Sequence, residues 1–262
     1  MNMTEDYRCI ASMVVYKNPR SMVREAARSF LQERLKTKIY VIDNSPSAEL
    51  STAFDGLAVS YHFSGRNEGY GRGNNRALAL AESGRYFLIM NPDITISNGT
   101  VEKLASYMDE NPDIGILGPM VLNTDGTLQR LNRREPTVAV LFFRRFLPRA
   151  LSWLVRKKLD LYEMEDAGYD SVCDVPFISG AFMFCRTAVL KEVGGFDPRY
   201  FMYFEDADIS RKVRSKGYRT VYYPYANVVH GYEKAAHKSL KMAFVFIMNG
   251  IRYFNKWGWA LF

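Results

Sequence analysis

The chain has 262 residues, 48% of them hydrophobic and 24% charged, with three cysteines and a formal net charge of +7. That apolar share excludes disorder, the three scattered cysteines (Cys9, Cys173, Cys185) exclude a disulfide scaffold or zinc ribbon, and the length allows one large α/β domain with a full core. The charge is local: residues 130–158 hold nine basic side chains against Glu135 alone, a net of +8, so the remainder stands at −1 and a localised anionic partner is expected rather than nucleic acid.

In chain order, Cys9–Tyr16 reads as a buried strand, and Pro19 introduces a helix over Ser21–Leu35. Lys38–Asp43 is a second strand that ends in turn chemistry, Asp43-Asn-Ser-Pro. Ala58–Ser64 is a third, followed by the glycine-rich loop Gly65–Gly73 and a helix to about Ser83. Tyr86–Met90 is a fourth strand stopping at Asn91-Pro-Asp93, followed by a helix over Thr100–Glu110 and a strand over Ile114–Leu117. Strands alternating with helices predict a mostly parallel sheet covered on both faces, with ligands at the carboxyl ends of its strands, where Asp43, the glycine loop and Asp93 fall. The second half is less regular. It predicts a hairpin turn at Asn123–Thr127, a strand over Phe177–Arg186, and helices over Ala188–Val193 and Phe204–Lys216. A short strand over Thr220–Tyr223 and an aromatic helix over Lys238–Phe254 close the chain. No repeat or low-complexity linker divides it, so residues 1–262 are expected to form a single domain. Its first half runs to about 120, its second covers about 121–235, and a C-terminal aromatic helix covers about 236–262. The opening residues hold no apolar signal core and the stretch Val175–Cys185 is too short to span a bilayer, so the expected setting is cytoplasmic without a membrane-spanning helix.

Two common nucleotide motifs are missing. No GxGxxG follows the first strand and no GxxxxGK[ST] occurs anywhere, which removes the dinucleotide and P-loop readings. Four other features can carry chemistry, each beside a plainer reading. Asp93 at a strand end can hold Mg2+ or Mn2+ against a diphosphate, or cap the next segment. Gly65–Asn75 offers backbone donors, two arginines and three asparagines to anionic oxygens and ribose hydroxyls, or is a surface loop. Glu205, Asp206 and Asp208 open a helix whose dipole keeps acids ionised, as a general base requires, or are ordinary N-terminal charge. Glu205 and Asp208 share a face and Asp206 points elsewhere, so one site cannot use all three. His230 ends an apolar strand and is either a structural histidine or a metal ligand.

In this order and spacing, NEGYGRGNN (67–75), NPD (91–93) and the run 179–219 make residues 10–232 resemble glycosyltransferase family 2, with the rhamnosyltransferases of bacterial O-antigen and cell-surface polysaccharides the nearest look. The resemblance implies the GT-A fold, Rossmann-like, with a mostly parallel central sheet, a basic helical insertion and a C-terminal helix. It further implies that Asp43 accepts the N3–H of uracil or thymine, and that Asn67 lies along the nucleotide with Arg72 and Arg76 near the leaving group. Asp93 and His230 would meet the metal, Asp206 would be the base on the acceptor hydroxyl, and Ser179, Gly180, Ala181 and Glu205 would border the acceptor sugar. Where the family's metal motif commonly carries an acid, this chain has Asn91, one negative charge fewer. With one base and no nucleophilic carboxylate, a single inverting displacement is expected, from dTDP-L-rhamnose or from another donor such as UDP-galactofuranose. An inactive assembly subunit on the same fold is the reading from a different class, which the presence of Asp93, Asp206 and His230 disfavours.

The basic run has its own expectation. Over Thr137–Lys158, aromatic and aliphatic bulk alternates with Arg144, Arg145, Arg149, Arg156, Lys157 and Lys158, and Pro148 divides it into two short amphipathic pieces. A peripheral segment on an anionic inner membrane face, beside a polyprenyl-diphosphate-linked glycan acceptor, fits this pattern. A helical pair packed on the sheet with its basic side in water is the alternative.

Overall fold

The computed structural model describes residues 7–81, 83–147, 153–231 and 240–262. Pro148 and Arg149, with the division expected at Pro148, lie outside the described residues, as does 232–239 at the start of the expected C-terminal helix.

The first half is built as read. Strands β1 (Cys9–Val15), β2 (Thr37–Asp43), β3 (Val59–Phe63) and β4 (Tyr86–Met90) are parallel, with β1 between β2 and β4. Helices α1 (Arg20–Leu31), α2 (Tyr70–Leu80) and α3 (Thr100–Glu110) make the crossovers. Successive side chains of a strand face opposite ways, and β1 shows the result. Cys9, Ala11, Met13 and Val15 join the layer beneath α1 and α3, while Ile10 and Val14 join the layer beneath α2. Buried Val101, Leu104, Ala105 and Met108 recur at helical spacing along α3. The larger of them contribute about 1.5–3 kcal/mol each on burial.

The second half interleaves with the first. The sequence places the end of a strand at Met90, yet a second short strand, β5 (Ile94–Ile96), follows the Asn-Pro-Asp turn. Strand β6 (Ile114–Leu122) extends five residues beyond the expected Leu117. After α4 (Val138–Phe146) and α5 (Arg156–Tyr162) come β7 (Cys173–Asp174), β8 (Phe182–Arg186) and α6 (Thr187–Glu192). Residues 177–181, expected in that strand, instead form the loop leading into it. The chain closes with α7 (Glu205–Ser215), β9 (Arg219–His230) and α8 (Leu240–Trp257). Among the described residues the sheet order is β3-β2-β1-β4-β8-β6-β9-β5, with β7 on β9. Strands β1, β2, β3, β4, β6 and β9 run one way, and β5, β7 and β8 the other.

The greatest departure from the sequence reading is β9, twelve residues where four were expected. Pro224 and the polar Asn227 break the apolar run, but residues 224–226 bulge out of β9 opposite the Pro119–Met120 step of β6, and pairing resumes at Asn227. That continuation carries His230 opposite Ile94 on β5.

Candidate active site

Three chain segments far apart in sequence converge at the ends of β4, β2 and β9. The turn after β4 places Asp93, and the β5–β9 register brings His230 beside it, with Asp93 Oδ1 3.3 Å from His230 Nε2. Gly231 N–H donates to the Asp93 carbonyl at 2.8 Å and locks that register. Gln129 then sets the histidine's tautomer. Its Nε2 donates to the His230 carbonyl at 2.9 Å, so its Oε1, 2.9 Å from Nδ1, is the acceptor and Nδ1 carries the proton. In the neutral ring Nε2 is therefore an acceptor, and it faces a carboxylate oxygen that accepts no hydrogen bond among the described residues.

Two acceptors held this close are stabilised by a cation, so the residues present fit a divalent metal with a nitrogen and an oxygen ligand. Among the described residues no group of three or more His, Cys, Asp or Glu side chains is arranged to hold a metal ion. Such an ion would take its remaining ligands from water and a substrate diphosphate, as Mg2+ commonly does.

The acids at the start of α7 do not group as their spacing predicts: Glu205 and Asp206 line one cavity, because they fall on the open side of the helix start, while Asp208 faces α8. Asp208 is fully buried and binds Lys256 Nζ at 2.7 Å and Trp257 Nε1 at 2.7 Å, so it anchors α8. Asp206 is half-buried; its Oδ2 accepts from Gly180 N–H at 3.1 Å and its Oδ1 from Ala207 N–H at 2.9 Å. Burial raises its pKa, and those two N–H donors oppose the rise. Glu205 is 6% exposed and its Oε2 has no hydrogen-bond partner. Burial, and then the charge of Asp206, push Glu205 up to about 8. Glu205 thus holds its proton at neutral pH, while the two N–H donors favour the ionised form of Asp206. Tyr203 and Phe204, both at φ +70°, hold the chain in the left-handed region immediately before these acids, backbone strain of the kind found at functional sites.

One turn joins the two groups. Within Ser179-Gly180-Ala181, the Ala181 carbonyl accepts from Asn91 N–H at 2.9 Å, Gly180 N–H binds Asp206, and the Gly180 carbonyl accepts from Tyr70 at 2.6 Å. A Cβ at Gly180 would stand 3.3 Å from Asp206 Cβ, so a side chain there would press on the carboxylate. Tyr70 is the first residue of α2. It follows Gly69, whose φ of +90° and approach to the Phe201 carbonyl (2.4 Å from a Cβ placed there) admit only glycine. The stretch 65–73 read as one loop is therefore half helix, because Gly71 and Gly73 let α2 close on Phe196 and Val14.

The other expected nucleotide residues are spread along the same edge. Asp43 is fully buried, its Oδ1 accepting from Ser45 N–H at 2.8 Å and its Oδ2 from the Tyr61 hydroxyl, so a base contact requires the β2–β3 end to open around it. Exposed Asn67 accepts from Gly69 N–H at 3.0 Å. Exposed Arg72 donates to the Pro198 carbonyl at 2.9 Å, and exposed Arg76 to Ser64 Oγ at 3.0 Å. Sequence reasoning passed over Tyr70 and Gln129. Tyr70 lies in the glycine-rich motif without an assigned role and Gln129 lies in none, and each acts through a contact more than 100 residues away.

On the far side of Asp206 lies a cavity of ≈ 540 Å³ between α4, α7 and α8, lined by Ser179, Glu205, Asp206 and Arg133 among others. No helix among the described residues is long and apolar enough to cross a membrane.

Comparison with known proteins bears on the family and the fold. The family model described as "Glycosyltransferase like family 2" matches residues 8–244. The N-acetylglucosaminyl-diphospho-decaprenol L-rhamnosyltransferase of Mycobacterium tuberculosis is 28% identical over 215 residues, 74% of this chain and 67% of that protein. Rhamnosyltransferase WbbL of Escherichia coli is 27% identical over 199 residues, 74% of this chain and 72% of that one. The crystal structure of GalNAc-T7 with UDP, GalNAc and Mn2+ matches 87% of this chain with a TM-score of 0.66 at 16% identity, a likeness of fold, and this chain spans 44% of it. The fold is thus that of the GT-A glycosyltransferases, and the chain belongs to the glycosyltransferase family 2-like family.

Proposed function

We propose that the chain is an inverting, metal-assisted sugar transferase that moves L-rhamnose from dTDP-L-rhamnose to a glycan acceptor carried on a polyprenyl diphosphate. The observation that carries the reading is the Ser179–Ala181 turn, which ties the strand end bearing Asp93 to the carboxylate of Asp206 through two backbone hydrogen bonds. A transferase needs this coupling, because leaving-group stabilisation and deprotonation must act on opposite sides of one sugar in one step.

Asp93 and His230 would hold Mg2+ or Mn2+, which when bound neutralises charge building on the departing diphosphate. Asp206 takes the acceptor's hydroxyl proton; Gly180 and Ala207 N–H hold its carboxylate in place. Protonated Glu205 beside it keeps the second acid from competing for that proton. Asp43, Asn67, Arg72 and Arg76 line the nucleotide side, and Ser179, Gly180, Ala181 and Glu205 the acceptor side. The rhamnosyl donor is supported by the names of the two relatives, one of which also specifies a diphospho-decaprenol acceptor. Exposed Phe142, Trp153 and Leu154 among the arginines and lysines of 144–158 support peripheral attachment at the anionic inner face of the cytoplasmic membrane.

The test is turnover of dTDP-L-rhamnose, UDP-galactofuranose and other nucleotide hexoses with Mg2+, Mn2+ or EDTA, with the product's anomeric configuration read by NMR. Metal-dependent use of dTDP-L-rhamnose with inversion is expected. Preference for another donor moves the specificity, and no binding or turnover of any nucleotide sugar sinks the reading.

A further inference from the structure

The cavity beyond Asp206 carries more positive charge than a neutral sugar hydroxyl needs. Arg133, Arg144 and Arg145 all line it. Arg133 is only 5% exposed, and its Nη1 donates to the carbonyls of Arg130 and Asn132 at 2.7 Å each, so its guanidinium is held in one orientation rather than reaching for water. Burial, and then the positive charge of Arg144, push its pKa down, which means an anion brought to the cavity stabilises it. Glu163 lies 3.3 Å from Arg133 and 4.0 Å from Arg144, one carboxylate across several guanidinium groups. Arg144 and Arg145 occupy the last turn of α4, where the helix carbonyls favour cations.

Away from these arginines and from the Ser179, Glu205 and Asp206 side, much of the wall is apolar. Leu141 and Phe246 face the cavity, and Phe246 belongs to α8. The residue after it, Ile247, belongs to another face of that helix. Leu240, Phe244, Ile247 and Ile251 fall at spacings of four, three and four, one stripe by helical geometry. They are 90%, 64%, 44% and 37% exposed. A buried anion pocket bordered by a helix with a bare hydrocarbon stripe suits a ligand with a charged head and an apolar tail.

We propose that this cavity seats the acceptor's diphosphate, with Arg133, Arg144 and Arg145 on its phosphate oxygens and Leu141, Phe177 and Phe246 against the first units of its polyprenyl chain. The inference rests on the transferase reading and deepens it. Guanidinium forks match phosphate oxygens in pairs and hold orientation as well as charge. The diphosphate adjoins the sugar it carries, and Asp206 lines the same cavity as the arginines. The hydroxyl presented to Asp206 therefore belongs to the sugar attached directly to the lipid, and the enzyme acts on a lipid bearing one sugar.

The test is calorimetric binding of farnesyl diphosphate to the full chain, with pyrophosphate and farnesol as half-probes and thermal melts to verify folding. Farnesyl diphosphate should bind at least tenfold more tightly than either half. Arg144→Ala with Arg145→Ala should weaken it tenfold or more. Arg156→Ala with Lys157→Ala, equal in lost charge but outside the cavity, should leave it unchanged. Equal losses in the two double variants would mean general charge attraction and overturn the proposal. Equal affinity for farnesol and farnesyl diphosphate would overturn it too, as would no binding by folded wild type. Nucleotide-sugar binding by the same wild-type sample keeps the two readings apart. Farnesyl diphosphate bound without any nucleotide sugar defeats the transferase reading alone, and the converse defeats the acceptor site alone.

Discussion

Asp206 and Glu205 are neighbours in sequence whose surroundings favour opposite protonation, and substitution should separate them. An amide keeps the shape of an acid and cannot take a proton, so Asp206→Asn should lose about 10²–10⁴-fold in transfer with donor binding intact. Glu205 sits protonated at neutral pH, its pKa raised to about 8 by burial and then by Asp206. Glu205→Gln should therefore stay within about tenfold of wild type. Steady-state transfer rates on the folded variants decide; the reverse ranking would make Glu205 the base. Asp93→Ala should weaken donor binding about tenfold or more when Mn2+ is present and have little effect in EDTA, with His230→Ala a smaller change of the same kind. Calorimetric donor affinities that match wild type with metal would remove Asp93 from the metal site.

At the scale of elements, α8 is held against α7 by a buried polar clamp as well as by aromatic packing. Lys256 bridges Asp208 and Asp197, Trp257 binds Asp208, and Tyr253 and Phe254 pack with Tyr200 and Phe204. Removing one partner of a buried pair leaves the other charge uncompensated, typically at 3–5 kcal/mol. Lys256 is 24% exposed and keeps Asp197, so Asp208→Asn should cost about 3 kcal/mol. Urea unfolding monitored by tryptophan fluorescence measures it, and a loss below about 0.5 kcal/mol would show that the aromatic contacts alone dock α8. The α8 stripe and the basic segment should also act together on membranes. Co-sedimentation with anionic vesicles should occur at low salt and fall as salt rises. Indifference of wild type to such vesicles at low ionic strength would leave the segment as packing.

Over the whole molecule, two acids make stability depend on pH. Burial raises Glu33 to about 8, helped by Glu102, and Glu205 has the same value. Between about 4.5, where the unfolded chain releases these protons, and about 8, where the folded chain does, unfolding releases protons. Stability should fall across that window as pH rises, by at most about 1.4 kcal/mol per unit for each group, and level off above it. Asp197, held well below the usual carboxylate range first by Arg199 and also by Lys256, works the other way. Its contribution is complete above about pH 4 and is lost on acidification. Urea midpoints from about pH 2 to 9 test both directions. Glu205→Gln should flatten part of the slope, and an unchanged slope would assign it to Glu33 alone.

Local chemistry is enough to determine much of this protein. Apolar runs of β1, β2 and β4, the stripe of α3, and a turn ending each strand mark an α/β sheet with its ligand edge, since strand and helix periodicities are read over a few residues. Spacing alone grouped the acids of α7 wrongly, since Glu205 shares a cavity with Asp206 and Asp208 is taken by α8. Long-range pairing is what the sequence did not yield. β5 is three residues long and exists because β9 lies beside it; β9 passes through Pro224 because residues 224–226 bulge out of its pairing with β6. Asp93 and His230 are 137 positions apart and meet only through that pairing. Tyr70, Gln129 and Arg133 look ordinary in sequence and acquire their roles from partners brought in by the fold. A carboxylate's identity is local, but its proton, its partners and the charge facing it depend on what the tertiary structure buries beside it.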